Sequence, residues 1–452
     1  MGVATPATPP RRLFGTDGVR GVAGDFLSAE LALALGRAAT ADAAGEVPQV
    51  LVIRDTRESG EMLESAFAAG VAASGGHALL GGVLPTPAAP LLMRRYAFDL
   101  AAVISASHNP YRDNGIKIFG PDCMKLNDER EAAIEAAIHA AEGEEPVPAP
   151  QRGIGRIRKL HGADADYLRE LEARFQGLRL DGLNVLLDCA HGATYHVAPE
   201  IFRRLGATVE TVGTEPDGRN INEGVGSTHI EGLAAAMTEG EFDIGFAFDG
   251  DGDRVLAVDR NGRVVDGDEL IALTAVHLRD TGRLPGNGVA VTLMTNLGFH
   301  HAMQAVGIEV AQTPVGDRHV IAELVKRGWA LGGEQSGHII DTGFVPSGDG
   351  IAAALLTLEA LRGRDLADRS VMTKLPQTLL NVKVRDRSAI EGATTVWQAV
   401  EREQRELGEG GRVLIRPSGT EPLVRVMVEA PDQFQCQSIA GRIADLIERE
   451  LR

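Results

Sequence analysis

Three stretches of the chain repeat one order of apolar and polar positions. Each opens with a short apolar strand that ends in a polar loop, predicted at residues 50–53, 185–187 and 289–294. A helical pattern follows each strand and stops at Gly75, Gly206 or Gly307, where a left-handed residue commonly ends a helix. A second strand, such as residues 208–212, comes next. Strands that alternate with helices predict parallel, doubly wound sheets, which bind ligands beyond the carboxyl ends of their strands.

The third strand of each stretch leads into a loop rich in residues that can do chemistry. These strands are predicted at residues 100–104, 243–248 and 329–331. A segment with three prolines, residues 143–158, predicts a linker after the first stretch. After about residue 373 the pattern changes to strands at 379–384, 413–415 and 423–428 and helices at 394–407 and 433–451.

We therefore predict an α/β fold class with three similar doubly wound α/β domains and a smaller C-terminal α+β domain. The predicted boundaries are residues 1–155, 156–256, 257–372 and 373–452.

Net charge, cysteine content and the longest uncharged run indicate which classes of partner the protein can have. The 452 residues carry a formal net charge of −18, which repels polyanions, so we expect no nucleic acid partner. An anionic substrate is compatible with this charge only where arginines gather locally. Three scattered cysteines suit neither a disulfide framework nor a zinc site, and they indicate a reducing, cytoplasmic location. The longest uncharged run, residues 65–93, contains five glycines and three prolines, so we expect a buried helix and strand and no membrane partner.

Three aspartates at alternate positions, Asp249, Asp251 and Asp253, directly follow one of the predicted strands. Alternate carboxylates of an extended segment point to one side, and the glycines between them let the backbone curl around a hard cation. A solvated acidic turn would leave the three charges in mutual repulsion. An EF-hand would need glycine and glutamate where Arg254 and Arg260 stand. With only three protein carboxylates, the other ligands must be water or substrate oxygens, which suits Mg²⁺ acting on a phosphoryl group.

A second loop carries Ser107 and His108, and Lys117 lies shortly downstream. The Asn-Pro and Asn-Gly pairs of this stretch also suit an ordinary turn. A serine-hydrolase elbow is disfavoured because it needs glycines where Ser105 and Asn109 stand. In a chain that also carries the aspartate loop, a serine beside a histidine fits a hydroxyl that receives and donates phosphate.

Three further loops are each ambiguous by themselves. Glu334 and Ser336 lie on a glycine-rich stretch whose polar groups suit sugar hydroxyls. Arg20 lies in a glycine-rich turn near the start of the chain. The last loop is either an exposed arginine turn or a phosphate cradle of guanidinium groups, hydroxyls and backbone amides, made by Arg416, Ser418, Gly419, Thr420 and Arg425.

Two nucleotide motifs can be set aside. Residues 348–353 match a loose dinucleotide fingerprint, but Asp349 would place a carboxylate near the pyrophosphate, and a glycine-rich helix start explains the same residues. The sequence contains no G-x-x-x-x-G-K-[ST] loop, which disfavours a nucleotide-driven kinase. The donor phosphate is then expected on the substrate or on the enzyme.

Taken in order, these loops resemble those of the α-D-phosphohexomutase superfamily along essentially the whole chain. The resemblance implies four domains around a central cleft, with the fourth closing over it. It implies that Ser107 is a phosphoserine, and that this residue and the three aspartates hold Mg²⁺. It also implies that Glu334 and Ser336 bind the sugar, and that the loop from Arg416 to Thr420 binds phosphate. Four more residues fall on active-site positions of the superfamily: Arg20, His108, Lys117 and Arg254.

Gln335 stands where phosphomannomutases and phosphoglucomutases usually have methionine. The resemblance is therefore to the branch that interconverts glucosamine 6-phosphate and glucosamine 1-phosphate, supplying UDP-N-acetylglucosamine and peptidoglycan synthesis. It implies glucosamine 1,6-bisphosphate, or another hexose 1,6-bisphosphate, as intermediate or activator, and a homodimer. A phosphomannomutase or phosphoglucomutase, a Mg²⁺-dependent sugar phosphatase and a non-catalytic sugar-phosphate sensor stay open as alternatives. We expect Lys117 to accept the proton, because nearby arginines and Mg²⁺ would lower its pKa, and His108 is the competing residue.

Overall fold

A computed structural model of the chain describes residues 13–15, 17–141, 153–418 and 422–451. The chain divides into two compact units. The larger unit comprises Met1–Leu293 and Ala311–Arg369, and the smaller comprises Met294–Val310 and Ser370–Arg452.

The first sheet of the larger unit has the strand order β1-β5-β4-β2-β3-β6. Its strands are β1 (Val19–Val22), β2 (Gln49–Arg54), β3 (His77–Val83), β4 (Leu100–Ile104), β5 (Asp113–Phe119) and β6 (Ile157–Lys159). The accompanying helices are α1 (Ala29–Asp42), α2 (Gly60–Ala73), α3 (Ala88–Tyr96) and α4 (Asp128–Ala141). Buried aliphatic side chains of β2 and β4 pack with those of α1 and α2 to form its core.

The second and third sheets repeat the same plan. The second contains β7 (Asn184–Asp188), β8 (Thr208–Val212), β9 (Ile244–Phe248), β10 (Val255–Asp259) and β11 (Val264–Val265), with α5 (Ala163–Arg174), α6 (Val197–Arg204) and α7 (Ile230–Glu239). The third contains β12 (Gly288–Thr292), β13 (Glu309–Thr313), β14 (Leu331–Gly333) and β15 (Ile339–Asp341), with α8 (Gly267–Asp280), α10 (Asp317–Arg327) and α11 (Gly350–Leu361). The helix between β12 and β13 is α9 (Leu297–Ala305), which belongs to the smaller unit.

Each sheet combines a parallel centre with an antiparallel neighbour. The pairs β2–β4, β7–β9 and β12–β14 are parallel, whereas the strand after each third strand runs antiparallel to it, in the pairs β4–β5, β9–β10 and β14–β15. The expectation of parallel sheets therefore holds for the centre of each sheet and is wrong for these neighbouring strands. A strand pattern carries no signal of direction, and residues 113–117, whose Asn-Gly pair also suits a turn, form the start of β5.

The predicted strand and helix positions otherwise agree closely with the structure, and Gly75 and Gly206 end their helices with φ of 85° and 106°. The predicted linker at 143–158 differs in part, because Ile157 and Arg158 pair with β3 as the start of β6. Residues 142–152 of that segment lie outside the described residues.

The smaller unit is an antiparallel three-stranded sheet with the order β16-β18-β17. Its elements are β16 (Gln377–Lys383), α12 (Thr394–Leu407), β17 (Arg412–Pro417), β18 (Leu423–Glu429) and α13 (Gln433–Leu451), together with α9. Asn296, just before α9, exchanges hydrogen bonds of 3.0 Å with the backbone of Leu375. In the structure α9 belongs to the smaller unit, whereas the predicted boundary at residue 373 places it in the third domain. The boundaries of the four domains stay a prediction.

Candidate active site

The loop between β4 and β5 presents Ser107 at the carboxyl end of β4. Ser107 is only 1% exposed and has a φ of 54°, in the left-handed region. Its amide donates a hydrogen bond to Ser105 Oγ at 2.9 Å, and Ser105 Oγ donates to Asp55 at 2.6 Å. Left-handed backbone is unfavourable for a residue other than glycine, so the surrounding contacts must hold Ser107 in place.

Arg57 supplies most of those contacts. Its buried guanidinium donates at 2.5–2.9 Å to the backbone carbonyls of Ser107, Asn109, Pro110 and Asp113. Its charge is balanced by Asp55 at 2.8 Å, and both side chains are fully buried. The sequence analysis missed Arg57, although its position directly after β2, at the carboxyl end of a parallel strand, was a usable signal.

Asn222 reaches the same loop from the connection between β8 and α7. Its Nδ2 donates to the Ser107 carbonyl at 2.9 Å, and its own φ is 60°. The sequence analysis missed this residue as well. The surrounding glycines and asparagines predict only a turn, and no sequence signal indicates the contact.

The loop between β9 and β10 carries the three aspartates. Asp249, Asp251 and Asp253 are all buried, and one oxygen from each lies within 4.8 Å of the others. Thr86 Oγ1 donates to Asp251 Oδ2 at 2.6 Å. A Cβ on Gly250 would lie 2.6 Å from the Ser107 carbonyl oxygen, so glycine is needed for the two loops to approach this closely.

The serine and aspartate loops, predicted from separate stretches of the chain, meet in the structure. Ser107 Oγ donates to Asp249 Oδ2 at 2.6 Å and lies 3.3 Å from His108 Nδ1. This meeting is the geometry that a phosphate-carrying serine beside a cation requires.

The three carboxylates suit a divalent cation. Burial, with the charges of Asp253 and Asp251, raises the pKa of Asp249 well above its usual value. Among the residues that the structure describes, none donates a hydrogen bond to the buried Asp251 Oδ1. A cation among these oxygens would satisfy that acceptor and offset the repulsion. Three carboxylates with further positions open to water or substrate oxygens match the ligands that Mg²⁺ prefers.

The carboxylates around Lys117 act against the expected lowering of its pKa. Lys117 is fully buried on β5, and its Nζ lies 2.7 Å from Asp251, 3.3 Å from Asp17 and 3.7 Å from Asp253. Burial alone would lower the pKa of this amine, but the three carboxylates outweigh burial and Arg20, and they raise it above its ordinary value. The sequence showed the arginines and the aspartates but not which of them would surround the amine.

His108 behaves in the opposite way. Burial, with the positive charges of Arg254 and Arg20, lowers the pKa of its imidazole to about 4. Arg20 forms an ion pair with Asp17. Arg254 donates its backbone amide to Asp249 at 3.1 Å, and its Nε lies 3.8 Å from Asp253. Lys117 and Arg254 therefore contact the aspartate loop directly, His108 lies beside the Ser107 hydroxyl that donates to it, and Arg20 pairs with Asp17 next to Lys117.

The predicted sugar loop connects β14 to β15. Glu334 Oε1 accepts a hydrogen bond from the Gly316 amide at 3.0 Å, and Ser336 is exposed. Gln335 Nε2 donates to Asp266 at 3.0 Å. His338 of the same loop lies 3.5 Å from Asp253, so the sugar loop borders the aspartate loop. The three reactive loops thus occupy the same position in their sheets, between the third strand and its antiparallel neighbour.

The predicted phosphate loop lies in the smaller unit. Arg416 on β17 and Arg425 on β18 are directly paired across the antiparallel ladder, which brings their side chains to one face. The backbone amide of the buried Ser418 donates to the Leu423 carbonyl at 2.9 Å, and Arg387 Nη1 donates to the Ser418 carbonyl at 2.5 Å. Gly419 and Thr420 lie outside the described residues. Arg387 is a third guanidinium near this loop that the sequence analysis missed.

Asp349, part of the discounted dinucleotide motif, has a structural role. Its side chain caps α11 by accepting from the Ala352 amide at 2.9 Å, and it accepts from Tyr167 Oη at 3.0 Å. The motif is therefore explained by a helix start, as predicted.

Comparison with known proteins identifies the family. Four family models match the chain: phosphoglucomutase/phosphomannomutase alpha/beta/alpha domain I at residues 11–145, domain II at 165–262, domain III at 266–378 and the C-terminal domain at 379–446. A phosphoglucosamine mutase of Mycolicibacterium paratuberculosis is 50% identical over 443 residues, covering 96% of this chain and 99% of the relative. One from Geobacillus kaustophilus is 46% identical over 445 residues, covering 97% and 99%. The chain belongs to the phosphoglucosamine mutase family.

Solved structures of distant phosphohexomutases share the fold. A phosphoglucomutase/phosphomannomutase family protein from Burkholderia thailandensis has a TM-score of 0.81 at 23% identity, covering 98% of both chains. An Aspergillus fumigatus N-acetylphosphoglucosamine mutase, solved with GlcNAc-6P and magnesium, has a TM-score of 0.68 at 18% identity, covering 97% of this chain and 95% of that one.

Membership of the phosphoglucosamine mutase family confirms several predictions. It confirms the superfamily, the three α/β domains with a C-terminal domain, and the enzyme class, an isomerase that moves a phosphoryl group. It supports the glucosamine phosphate mutase over the phosphomannomutase or phosphoglucomutase alternative. Within the part of the chain that the structure describes, no helix combines the length and apolar composition that crossing a membrane requires.

Proposed function

We propose that the protein interconverts glucosamine 6-phosphate and glucosamine 1-phosphate, with Ser107 as the phosphate carrier and glucosamine 1,6-bisphosphate as the intermediate. The observation that carries this proposal is the 2.6 Å hydrogen bond from Ser107 Oγ to Asp249, at the edge of a cluster of three buried carboxylates. Ser107 is 1% exposed, so water is largely excluded from its side chain. Exclusion of water from a phosphoserine favours transfer of the phosphoryl group to a sugar over hydrolysis.

In the first half-reaction, the free hydroxyl of the sugar attacks the phosphorus of phospho-Ser107. The new P–O bond to the sugar forms as the bond to Ser107 Oγ breaks, and a base takes the proton of the sugar hydroxyl and returns it to Ser107 Oγ. In the second half-reaction, after the bisphosphate has turned end for end, Ser107 Oγ attacks the other phosphate and regains a phosphoryl group, while its proton passes through the base to the departing sugar oxygen.

Asp249, Asp251 and Asp253, with one oxygen of the phosphoserine, would hold Mg²⁺. When bound there, the ion offsets negative charge on the transferring group. The orphaned, buried Asp251 Oδ1 supports this assignment. Arg254 borders the same carboxylates, and Arg20 pairs with Asp17, which lies 3.3 Å from Lys117; both would add positive charge near the transferring phosphoryl group.

The proton acceptor is proposed to be His108. Its lowered pKa, about 4, leaves the imidazole neutral near pH 7, and its Nδ1 lies 3.3 Å from Ser107 Oγ. Lys117, held protonated by three carboxylates, would instead fix the aspartate loop. A neutral base beside the nucleophile serves both half-reactions, because it can accept the proton and return it.

Substrate recognition is proposed to use two further loops. Glu334 and Ser336 would bind the sugar hydroxyls. Arg416, Ser418, Gly419, Thr420 and Arg425 would grip the phosphate that is not reacting. Because this second loop must accept the sugar in both orientations, we expect it to contact phosphate and not the ring.

The expectations about the partner, the activator, the cellular location and the oligomeric state are proposals as well. The sugar phosphate is the small-molecule partner, a hexose 1,6-bisphosphate is the activator, and the protein acts in the cytoplasm, where its product would supply UDP-N-acetylglucosamine. A homodimer is a further proposal, suggested by the resemblance alone.

The test uses phosphorus NMR of the purified protein with Mg²⁺, glucosamine 6-phosphate and a trace of the bisphosphate. We expect ester migration to glucosamine 1-phosphate in the wild type and none in Ser107→Ala. Ser105→Ala is the matched control in the same loop, and it should lower turnover without abolishing it. A fully active Ser107→Ala enzyme would remove the phosphoserine from the proposal.

The same spectra separate the alternatives. A phosphatase would release inorganic phosphate in step with substrate loss, whereas a mutase conserves the ester. Faster turnover of mannose 6-phosphate or glucose 6-phosphate than of glucosamine 6-phosphate would overturn the substrate assignment.

A further inference from the structure

Six charged side chains next to the aspartate loop form a closed ring in which the sign of the charge alternates. In order around the ring they are Lys117, Asp17, Lys125, Asp317, His338 and Asp253, and His338 carries its positive charge only when protonated. The ring touches the candidate active site through Lys117 and Asp253. Lys125 and Asp317 lie on its far side, and neither has a part in the reaction proposed above.

The link between Lys125 and Asp317 crosses between two sheets. Lys125 lies between β5 and α4, whereas Asp317 is the first residue of α10 beside the third sheet. Their charged atoms are 2.6 Å apart, and each side chain is only 15% exposed. An ion pair this sheltered is weakly screened by solvent, so it can hold the two segments together.

A second ion pair crosses at the same place with the charges reversed. Arg318 Nη1 lies 2.5 Å from Asp128, and Arg318 Nη2 lies 3.3 Å from Glu131, both on α4. Along the first segment the positive Lys125 is followed by the negative Asp128 and Glu131. At the start of α10 the order is reversed, because the negative Asp317 is followed by the positive Arg318. This complementarity fixes which residues of the two segments face one another.

Asp317 is also close to the predicted sugar-binding residue. The preceding residue, Gly316, donates its amide to Glu334 at 3.0 Å. On the other side, Lys125 pairs with Asp17, which lies 3.3 Å from Lys117 beside the aspartate loop. Lys125 therefore connects the sugar side of the site with the phosphoserine side.

We propose that Lys125 is a positioning residue that holds the start of α10 and the sugar loop against the phosphoserine side, and so retains the bisphosphate between the two half-reactions. This inference rests on the proposed function. Without the Lys125 charge, Asp17 and Asp317 face each other as like charges, and the two sides of the site are driven apart.

Loss of the intermediate has a distinct chemical consequence. After the first half-reaction both phosphates are on the sugar and Ser107 carries a free hydroxyl. If the bisphosphate then leaves, the phosphoryl group leaves with it, and the protein is inactive until a bisphosphate binds again. Retention of the intermediate can therefore be measured separately from the rate of the chemistry.

The experiment follows a radioactive label placed on Ser107. Full-length protein, phosphorylated with ³²P, is mixed with Mg²⁺ and excess glucosamine 6-phosphate, and the labelled products are separated. Label on glucosamine 1-phosphate reports retention, and label on free bisphosphate reports escape. The variants are Lys125→Met, Asp317→Asn and the two combined. Lys125→Arg is the conservative variant, and Lys326→Met is the control, because Lys326 makes a 3.0 Å ion pair with Glu323 of the same helix.

We expect Lys125→Met and Asp317→Asn each to raise the ratio of escape to retention about tenfold, the size of effect that a coupled, sheltered ion pair can supply. The combined variant should exceed neither single one, because both remove the same contact and Asp317→Asn also removes the like charge that Lys125→Met leaves facing Asp17. Lys125→Arg and Lys326→Met should resemble the wild type.

A wild-type ratio in both Lys125→Met and Asp317→Asn would overturn the positioning role, and so would effects that multiply in the combined variant. Should Lys125→Met fail to fold, Asp317→Asn still decides the question. Failure of the wild type to form any labelled glucosamine 1-phosphate would instead contradict the proposed function.

Discussion

The residues that hold Ser107 matter as much as those that react with it. Ser107 has a left-handed backbone, and its carbonyl receives hydrogen bonds from Arg57 at 2.8 Å and from Asn222 at 2.9 Å. The candidate reactive residues could be selected from the sequence because the chemistry of carboxylates and of a serine is evident from residue type and spacing. Arg57 and Asn222 could not be predicted with the same ease, because they bind backbone carbonyls, whose positions only the fold determines.

Gly250 provides a test of the contact between the serine and aspartate loops. A methyl group at this position would lie 2.6 Å from the Ser107 carbonyl oxygen, and a buried backbone cannot yield cheaply. We expect Gly250→Ala to reduce the free energy of unfolding by about 1–3 kcal/mol and mutase turnover by about a hundredfold. Urea unfolding and the phosphorus NMR assay measure the two effects.

Gly232→Ala on α7 is the matched control, since nothing lies within 4 Å of its added Cβ. It should keep full turnover and stabilise the helix by about 0.5–1 kcal/mol. Wild-type turnover in Gly250→Ala would show that the two loops do not need to touch.

The order of strands and helices was predictable from the period of the apolar positions, which is set locally. The helix limits at 394–407 and 433–451 agree with α12 and α13. The antiparallel strand after each reactive loop was not predictable, because the direction of pairing depends on how the chain returns to the sheet, which only the fold determines. These strands matter for function, since each turns the chain back directly beside the site.

The start of α11 is predicted to respond to pH. Burial raises the pKa of Asp349, which caps α11 and accepts from Tyr167, to about 7. Between about pH 4 and 7 the folded state therefore binds a proton that the unfolded state has lost, so stability falls as pH rises through this range.

Asp349→Asn keeps the acceptor for both hydrogen bonds and removes the titration. We expect the difference in free energy of unfolding between the variant and the wild type to shift by about 2 kcal/mol in favour of the variant from pH 5 to pH 8. Urea unfolding at both pH values measures this difference. An unchanged difference between the two proteins across that range would mean that Asp349 stays ionised in the folded state.

Taken as a whole, the chain is strongly acidic, yet its reactive loops gather arginines and lysines around buried carboxylates. The net charge of −18 could be read directly from the sequence, and it excluded nucleic acid from the expected partners. How the charges cluster could not be read in the same way, because Asp17, Lys125 and Asp317 are brought together only by folding.

Binding of Mg²⁺ should be visible in the stability of the protein. An ion that binds only the folded aspartate loop stabilises the protein by about 2.7 kcal/mol at a hundred times its Kd, which corresponds to a Tm increase of roughly 3 °C for a chain of 452 residues. We expect calorimetry with Mg²⁺ against EDTA to show this increase in the wild type and its loss in Asp251→Asn. The exposed Asp25→Asn should respond as the wild type does, and an equal response in Asp251→Asn would contradict the proposed cation site.

The hydrogen bonds of Arg57 have a consequence for redesign of the serine loop. Arg57 binds the serine loop through four carbonyl oxygens, and every amino acid supplies that atom. The path of the loop is thus set largely from outside the loop, so those of its side chains that make no such contact could be exchanged without changing that path. Positions 105 and 107 are constrained further: Ser105 bonds the Ser107 amide and Asp55, and the left-handed backbone of position 107 disfavours threonine and other branched replacements.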